Sequence, residues 1–315
     1  MESNNTDEIQ PQYTREQMAA LFGITPALET VVTVVGVTLF VLGVIGNFLI
    51  VTVFNAKNLR KSSFSIVFTS LACADTAYLC TGFIRRLILW LNVWQVDIRI
   101  QSHPILCKLH IYLTYVSSML SAWSLVVISI ERCISVAFPM KARLICTRKN
   151  VGSVLATVLV AILAVNIHYP YGWCPLDEDG TYIKYLNKYL ETVDTTLSVI
   201  IPFSVSFTSN VVIIVLIKRS RSGRAAMTNN RQTSAEKKKD KVESVTIMLL
   251  VTNFTFITAT LPYSIYLDVV DWAGTTLDAT LGLISYVNYA INFWLYCISG
   301  PKFRHEMCRL FRCCK

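Results

Sequence analysis

Residues 107–133 read CKLHIYLTYVSSMLSAWSLVVISIERC, and this stretch decides the fold. Between His110 and Glu131 no residue carries a formal charge. As an α-helix rising about 1.5 Å per residue, such a run crosses a bilayer core of about 30 Å. The run is apolar yet holds Thr114, Ser117, Ser118, Ser121, Ser124 and Ser129. Lipid offers hydroxyls no partner, whereas helix–helix interfaces pack small polar residues and hydrogen-bond them. The segment therefore reads as the central helix of a membrane bundle. A cysteine marks one end, and an arginine beside an acid marks the other.

Similar uncharged runs lie on both sides of it, at 30–56, 150–176, 195–217, 244–267 and 279–301, and 62–84 is interrupted only by Asp75. Each is long enough to span. The expectation is an all-α, seven-transmembrane helix bundle over 29–300. A polar tail (1–28) precedes it and a short amphipathic helix with a cytoplasmic tail (301–315) follows. Composition agrees, with 53% hydrophobic and 16% charged residues where soluble domains average about a quarter charged.

Basic residues set the orientation. They crowd the connections after spans one (Lys57, Arg60, Lys61), three (Lys141, Arg143, Arg148, Lys149) and five (Lys218 to Lys241), and the C-terminal tail. Acids gather on the other side, at Glu2, Asp7, Glu8, Asp177, Glu178, Asp179, Asp268, Asp271 and Asp278. The N-terminus is thus expected outside a plasma membrane. The net charge of +9 reads as topology and lipid contact, not as nucleic-acid binding. Residues 1–28 show no apolar core of a cleaved signal peptide. Asn4 heads a glycosylation sequon in the outer tail.

Of ten cysteines only Cys107 and Cys174 fall on the oxidising side, which allows one bridge. Cys308, Cys313 and Cys314 follow or join an amphipathic pattern of Phe303, Met307, Leu310 and Phe311, and are placed for palmitoylation. No zinc-ligand spacing, phosphate loop or nucleophile–base set occurs, so no enzyme is expected and no cofactor required.

Asp75 is the one acid deep in a span. An intramembrane carboxylate is expensive and marks a functional site by default; the plainer alternative is a protonated Asp satisfied by hydrogen bonds. Arg85 and Arg86 lie near the outer end of the same span, either snorkelling to the interface or facing a cavity. Adjacent positions cannot both face the bundle. Pro202 and Pro262 sit inside spans, where neighbours satisfy the freed carbonyls.

The joint order of these markers resembles the rhodopsin-like (class A) G-protein-coupled receptors. The resemblance runs over 25–314 and rests on Gly46-Asn47, Leu71-Ala72-Cys73-Ala74-Asp75, and Cys107 ahead of Glu131-Arg132-Cys133. It continues through Cys174, Pro202, Phe256 with Pro262, and Asn288, Asn292 and Tyr296. Within the family, Asn292-Phe293-Trp294-Leu295-Tyr296-Cys297 followed by Gly300-Pro301-Lys302-Phe303-Arg304 looks most like invertebrate neuropeptide receptors of the FMRFamide type. The chain departs from the pattern at Thr260, where a tryptophan is usual, at Phe293, where a proline is usual, and at Asn210, where a tyrosine is frequent. Thr114 stands where amine receptors carry an Asp, and Tyr286 where opsins carry the retinal Lys.

The resemblance implies a receptor for an extracellular ligand, a neuropeptide in this reading, signalling through a heterotrimeric G protein and binding arrestin. It implies a Cys107–Cys174 disulfide, and coupling at Glu131, Arg132, Cys133 and Tyr296. Asp75, Ser121, Asn288 and Asn292 resemble the family's site for sodium, an allosteric ion. Counted from the helix markers, Arg85 or Arg86, Thr114, Tyr115, Ser118, Glu191, Asp194, Tyr263, Ser264 and Tyr286 line the outer cavity. Acids around its mouth, Asp278 among them, suggest a basic peptide paired by Glu191 or Asp194. The alternatives are a chemosensory class A receptor for a small molecule, and a transporter or channel, which also use buried acids.

Overall fold

A computed structural model describes residues 26–90, 103–168, 189, 192–225, 234–269 and 276–311, the side chains of 26–29, 88–90, 104, 220–225, 234–249, 268, 276 and 302 aside. The expectations for Asn4, Cys174, Glu191, Cys313 and Cys314 lie outside the described residues.

Span one is Pro26–Phe54, and span two runs as Ser63–Tyr78, a wide π turn Leu79–Phe83 and Ile84–Trp90. Span three, Pro104–Ala137, starts at His103, whose ring nitrogen accepts the Leu106 N–H at 3.4 Å, with Pro104 in the first turn. A short helix, Pro139–Ile145, leads to span four, Arg148–Val165, capped by Thr147, which accepts the Asn150 N–H at 3.2 Å. Span five enters through a π segment, Thr196–Ile200, and continues as Ile201–Ala225. Span six is Ser234–Val269, with Pro262 inside it. Span seven is Thr276–Ala290 and Asn292–Ser299, bent by 50°.

Among the described residues five helices are long and apolar enough to cross a membrane, and the bent pair makes a sixth. The uncharged run 244–267 within Ser234–Val269 supplies the seventh. Span three is central as its composition requires, packing on spans two, four, five and six. Its Ser117, Ser121, Ser124 and Ser129 are buried, while Val31, Val34, Phe48, Val160 and Phe254 on the outer helices face outward. That inversion suits a lipid solvent.

Two glycines set the seam between spans one and seven. A Cβ on Gly43 would lie 2.8 Å from Leu79 Cδ1 and 2.9 Å from Ala290 Cβ, and one on Gly46 2.8 Å from Phe293 Cβ. Beside them Asn47 Nδ2 donates to the Tyr289 carbonyl at 3.1 Å. Asn47 is therefore glue between helices.

The span-seven bend occurs without proline. Asn292 Nδ2 donates to the Asn288 carbonyl at 3.2 Å, and a side chain entering the i→i−4 ladder is a recognised cause of kinks. The amphipathic helix is Pro301–Leu310. Phe303 is buried against Phe54, Phe293 and Tyr296. Glu306 is buried as well, accepting from Asn58 Nδ2 at 2.8 Å and paired with Arg309 at 3.3 Å. One edge of this helix is thus docked on the first loop.

Candidate functional site: a polar and aromatic column through the bundle

Asp75 is the hub. Fully buried, it accepts from Ser121 Oγ at 2.5 Å and from Asn292 Nδ2 at 2.7 Å, joining spans two, three and seven. Two of the three expected partners meet it directly; Asn288 is buried beside them and contributes its backbone carbonyl to Asn292. Asn292 Oδ1 is buried with no hydrogen-bond partner. Carboxylate, hydroxyl and an orphaned amide oxygen form an all-oxygen donor set, which fits a hard cation. Among the described residues no group of three or more His, Cys, Asp or Glu side chains could hold a metal.

Towards the outer end the column is aromatic. Ser118 Oγ and the Tyr289 hydroxyl are 3.0 Å apart. Tyr289 stacks on Tyr78 with ring centroids 4.1 Å apart, and Tyr286 stacks on Phe83 at 4.0 Å. Tyr286 is therefore buried in ring contacts.

Above these rings the wide turn Leu79–Phe83 resets the face of span two. The result separates Arg86 from Arg85. Arg86 holds Asp278 through both carboxylate oxygens, Nη1–Oδ2 at 2.7 Å and Nη2–Oδ1 at 3.2 Å. Its Nη2 also donates to the Tyr263 hydroxyl. One guanidinium thus ties spans two, six and seven. Arg85 is part-buried. The expectation that Asp278 joins an acidic field at the mouth is corrected here: its side chain is 2% exposed and neutralised by Arg86.

The other expected cavity residues divide. Thr114 Oγ1 donates to the His110 carbonyl at 2.8 Å, and its methyl faces Gly82. Ser264 Oγ donates to the Thr260 carbonyl at 3.2 Å. Both hydroxyls are used within their own helices. Tyr115 packs on Cys107 and Ile111, and Asp194 accepts from Ser198 Oγ at 2.9 Å. Cys107 is disulfide-bonded.

At the inner end, Asn292 leads one turn on to Tyr296, which is buried and has no hydrogen-bond partner for its hydroxyl. Its ring meets Phe68 edge-on at 5.0 Å, and Phe68 meets Phe64 edge-on at 6.5 Å. The Arg132 guanidinium lies 4.4 Å over the Phe64 ring, while Ser63 Oγ donates to Glu131. Nε and Nη2 of Arg132 have no hydrogen-bond partner. Cys133 is part-buried, with a free thiol, and so is Cys308. A separate shallow groove of about 660 Å³, lined by Ile66, Gly152, Ser153, Ala156, Arg148 and Lys149, opens between spans two and four.

Sequence reasoning missed Tyr289, Tyr78, Ser63, Phe64 and the role of Asp278. Tyr289 was within reach, since it precedes Asn292 by three and Tyr296 by seven residues and shares their helix face. Ser63 and Phe64 carried no comparable signal.

Comparison with known proteins gives the same reading. The chain is 24% identical over 278 residues to the FMRFamide peptide receptor frpr-18 of Caenorhabditis elegans, covering 83% of this chain and 62% of that protein. It is 24% identical over 313 residues to a GQ-coupled rhodopsin of Mizuhopecten yessoensis, covering 90% and 60%. Neuropeptide receptor 15 of C. elegans is 33% identical over 130 residues, or 39% and 34%. The chain thus spans about 60% of the length of the first two relatives. The profile described as "7 transmembrane receptor (rhodopsin family)" matches residues 46–299, the interval that holds Asn47, Asp75, Arg132 and Asn292 in one column. The chain is a multi-pass membrane protein of the rhodopsin family of seven-transmembrane receptors.

Proposed function

We propose that the chain is a plasma-membrane receptor with its N-terminus outside, activated by an extracellular neuropeptide and signalling through a heterotrimeric G protein. The observation that carries this reading is the column itself. Contacts run from Arg86 and the tyrosines, past Asp75 and Asn292, to Tyr296, Phe68, Phe64 and Arg132. A ligand favouring one arrangement at the outer end can then shift the equilibrium at the inner end. Arg132, beside the basic loops, presents a planar donor fork to the G protein, with Glu131, Cys133 and Tyr296 around it. Arrestin would use the same opening.

A peptide ligand is supported by two of the three relatives, which are named for peptides. The rhodopsin relative brings no pigment chemistry with it, because no lysine lies between Lys241 and Lys302 to form a Schiff base. Sodium would be held by Asp75 with Ser121 and the amides of Asn288 and Asn292, and would offset the buried carboxylate. Cys107–Cys174 would close the outer loop, Asn4 would carry glycan, and Cys308, Cys313 and Cys314 would carry palmitate beside the lipid surface.

The test is nucleotide exchange on a co-expressed G protein, driven by a library of amidated peptides, with ion flux measured in parallel. Peptide-driven exchange without current supports the reading. Current without exchange replaces it with a channel or transporter.

A further inference from the structure

The half of the bundle nearer Arg132 holds a polar layer that the column does not use. Leu125 of span three and Phe256 of span six lie in one apolar cluster, with Phe203 of span five packed against it. One to two turns further towards the Arg132 end, each of these spans carries buried polar side chains. They are Ser129 on span three, Ser206 and Asn210 on span five, and Asn253 on span six. Asn253 Nδ2 donates to Ser129 Oγ at 3.4 Å, which ties span six to span three and is long for an amide donor. Asn210 is 1% exposed, yet neither its amide nitrogen nor its amide oxygen has a hydrogen-bond partner, and Ser206 Oγ has none either.

The two buried amides therefore differ. One is held by a single weak bond, and the other is left with none, which costs free energy that a paired amide does not. An opening beside Arg132 that parts span six from span three breaks the bond to Ser129. The serine can then donate to a carbonyl one turn back in its own helix, as Ser117 and Ser124 already do to Leu113 and Leu120. Asn253 and Asn210 suit each other, because each amide carries both a donor and an acceptor, and a facing pair uses one of each on both sides.

We infer that Asn253 is a two-position residue, held by Ser129 of span three at rest and passed to Asn210 of span five when the inner end opens. The unpaired amide of Asn210 then favours opening, and Ser129 opposes it. Ser129, Asn210 and Asn253 are positioning residues that act through the place of span six. This rests on the receptor reading above.

The experiment measures basal nucleotide exchange on a co-expressed G protein at matched surface density, and thermal unfolding of the purified full chain. Ser129→Ala removes a bond made only at rest, so exchange should rise about 2- to 10-fold and unfolding should come earlier. Asn210→Leu removes the unpaired amide and the second partner together, so exchange should fall by a similar factor and unfolding should come later. Where basal exchange of wild type is too low to fall, Asn210→Leu is read on Ser129→Ala, whose exchange it should bring back down. In an Asn253→Leu background neither change should alter exchange, because the residue that both act on is gone. Should Asn210→Leu fail to reach the surface, Asn210→Ala removes the amide without adding bulk, and exchange should fall there too. Exchange that the substitution of Asn210 leaves unchanged or raises overturns the inference. So do effects of Ser129→Ala and Asn210→Leu that persist in full without Asn253. Both outcomes leave the receptor reading standing. A wild type that drives no exchange, basal or peptide-stimulated, on any G protein sinks that reading, and the inference with it.

Discussion

Arg132 resting on Phe64 makes a prediction that needs no ligand. The guanidinium lies 4.4 Å over the ring, and two of its nitrogens have no hydrogen-bond partner. A cation–π contact contributes about 0.5–1 kcal/mol at exposed sites and about 2 kcal/mol when desolvated. If engaging the G protein requires Arg132 to leave the ring, that energy favours the resting state alone. Phe64→Leu keeps apolar bulk and removes the ring, so the active fraction should rise about 2- to 30-fold. From a resting population of about 1 %, a tenfold shift gives roughly 9 %. Phe64→Trp, whose ring binds cations best, should shift it the other way. The edge contact of Phe64 with Phe68 is lost in the leucine variant, but that loss acts on both states. The assay is basal nucleotide exchange at matched surface density. An order other than Leu above Phe above Trp would refute the argument.

Other variants test other parts of the column. Asp75→Asn should keep surface expression and remove sodium's effect on agonist affinity, since Ser121 and Asn292 supply only dipoles; a surviving sodium effect, absent with a bulky cation, refutes the site. Gly43→Ala places a Cβ 2.9 Å from Ala290 Cβ and should cost about 1–3 kcal/mol of stability, read as earlier thermal unfolding of purified receptor. Gly152→Ala, which meets only Ile66 Cδ1 at 3.3 Å, should unfold near the wild-type temperature. Cys107→Ser should cost about 2–4 kcal/mol, and non-reducing peptide mapping should recover Cys107 joined to Cys174.

The bundle was legible because a bilayer demands long uncharged runs, and the serines of span three had nowhere to go but the middle. Asp75 was legible as the one acid deep in a span, while its partners Ser121 and Asn292 came from the resemblance to the family's sodium site. The outer end was not. Which of Arg85 and Arg86 turns inward depends on a wide turn at Leu79–Phe83 that no proline announces. Once Arg86 turns inward, Asp278 changes from a mouth acid to a buried counter-ion. Phe293 stands where the family carries a proline, and span seven bends all the same, the Asn292 side chain donating to the Asn288 carbonyl. Glu306 carried no sequence signal, and its burial follows from Asn58 and Arg309, which lie against it.

In the proposed mechanism a peptide at the outer end drives a G protein at the inner end through Arg132. Its most direct measurement is guanine-nucleotide exchange by a purified heterotrimer, with wild type and Arg132→Ala compared at equal surface density against an amidated peptide library. Wild type should show peptide-stimulated exchange, and Arg132→Ala should lose it with peptide binding retained. Undiminished exchange in Arg132→Ala, or peptide-gated current with no exchange on wild type, would contradict it.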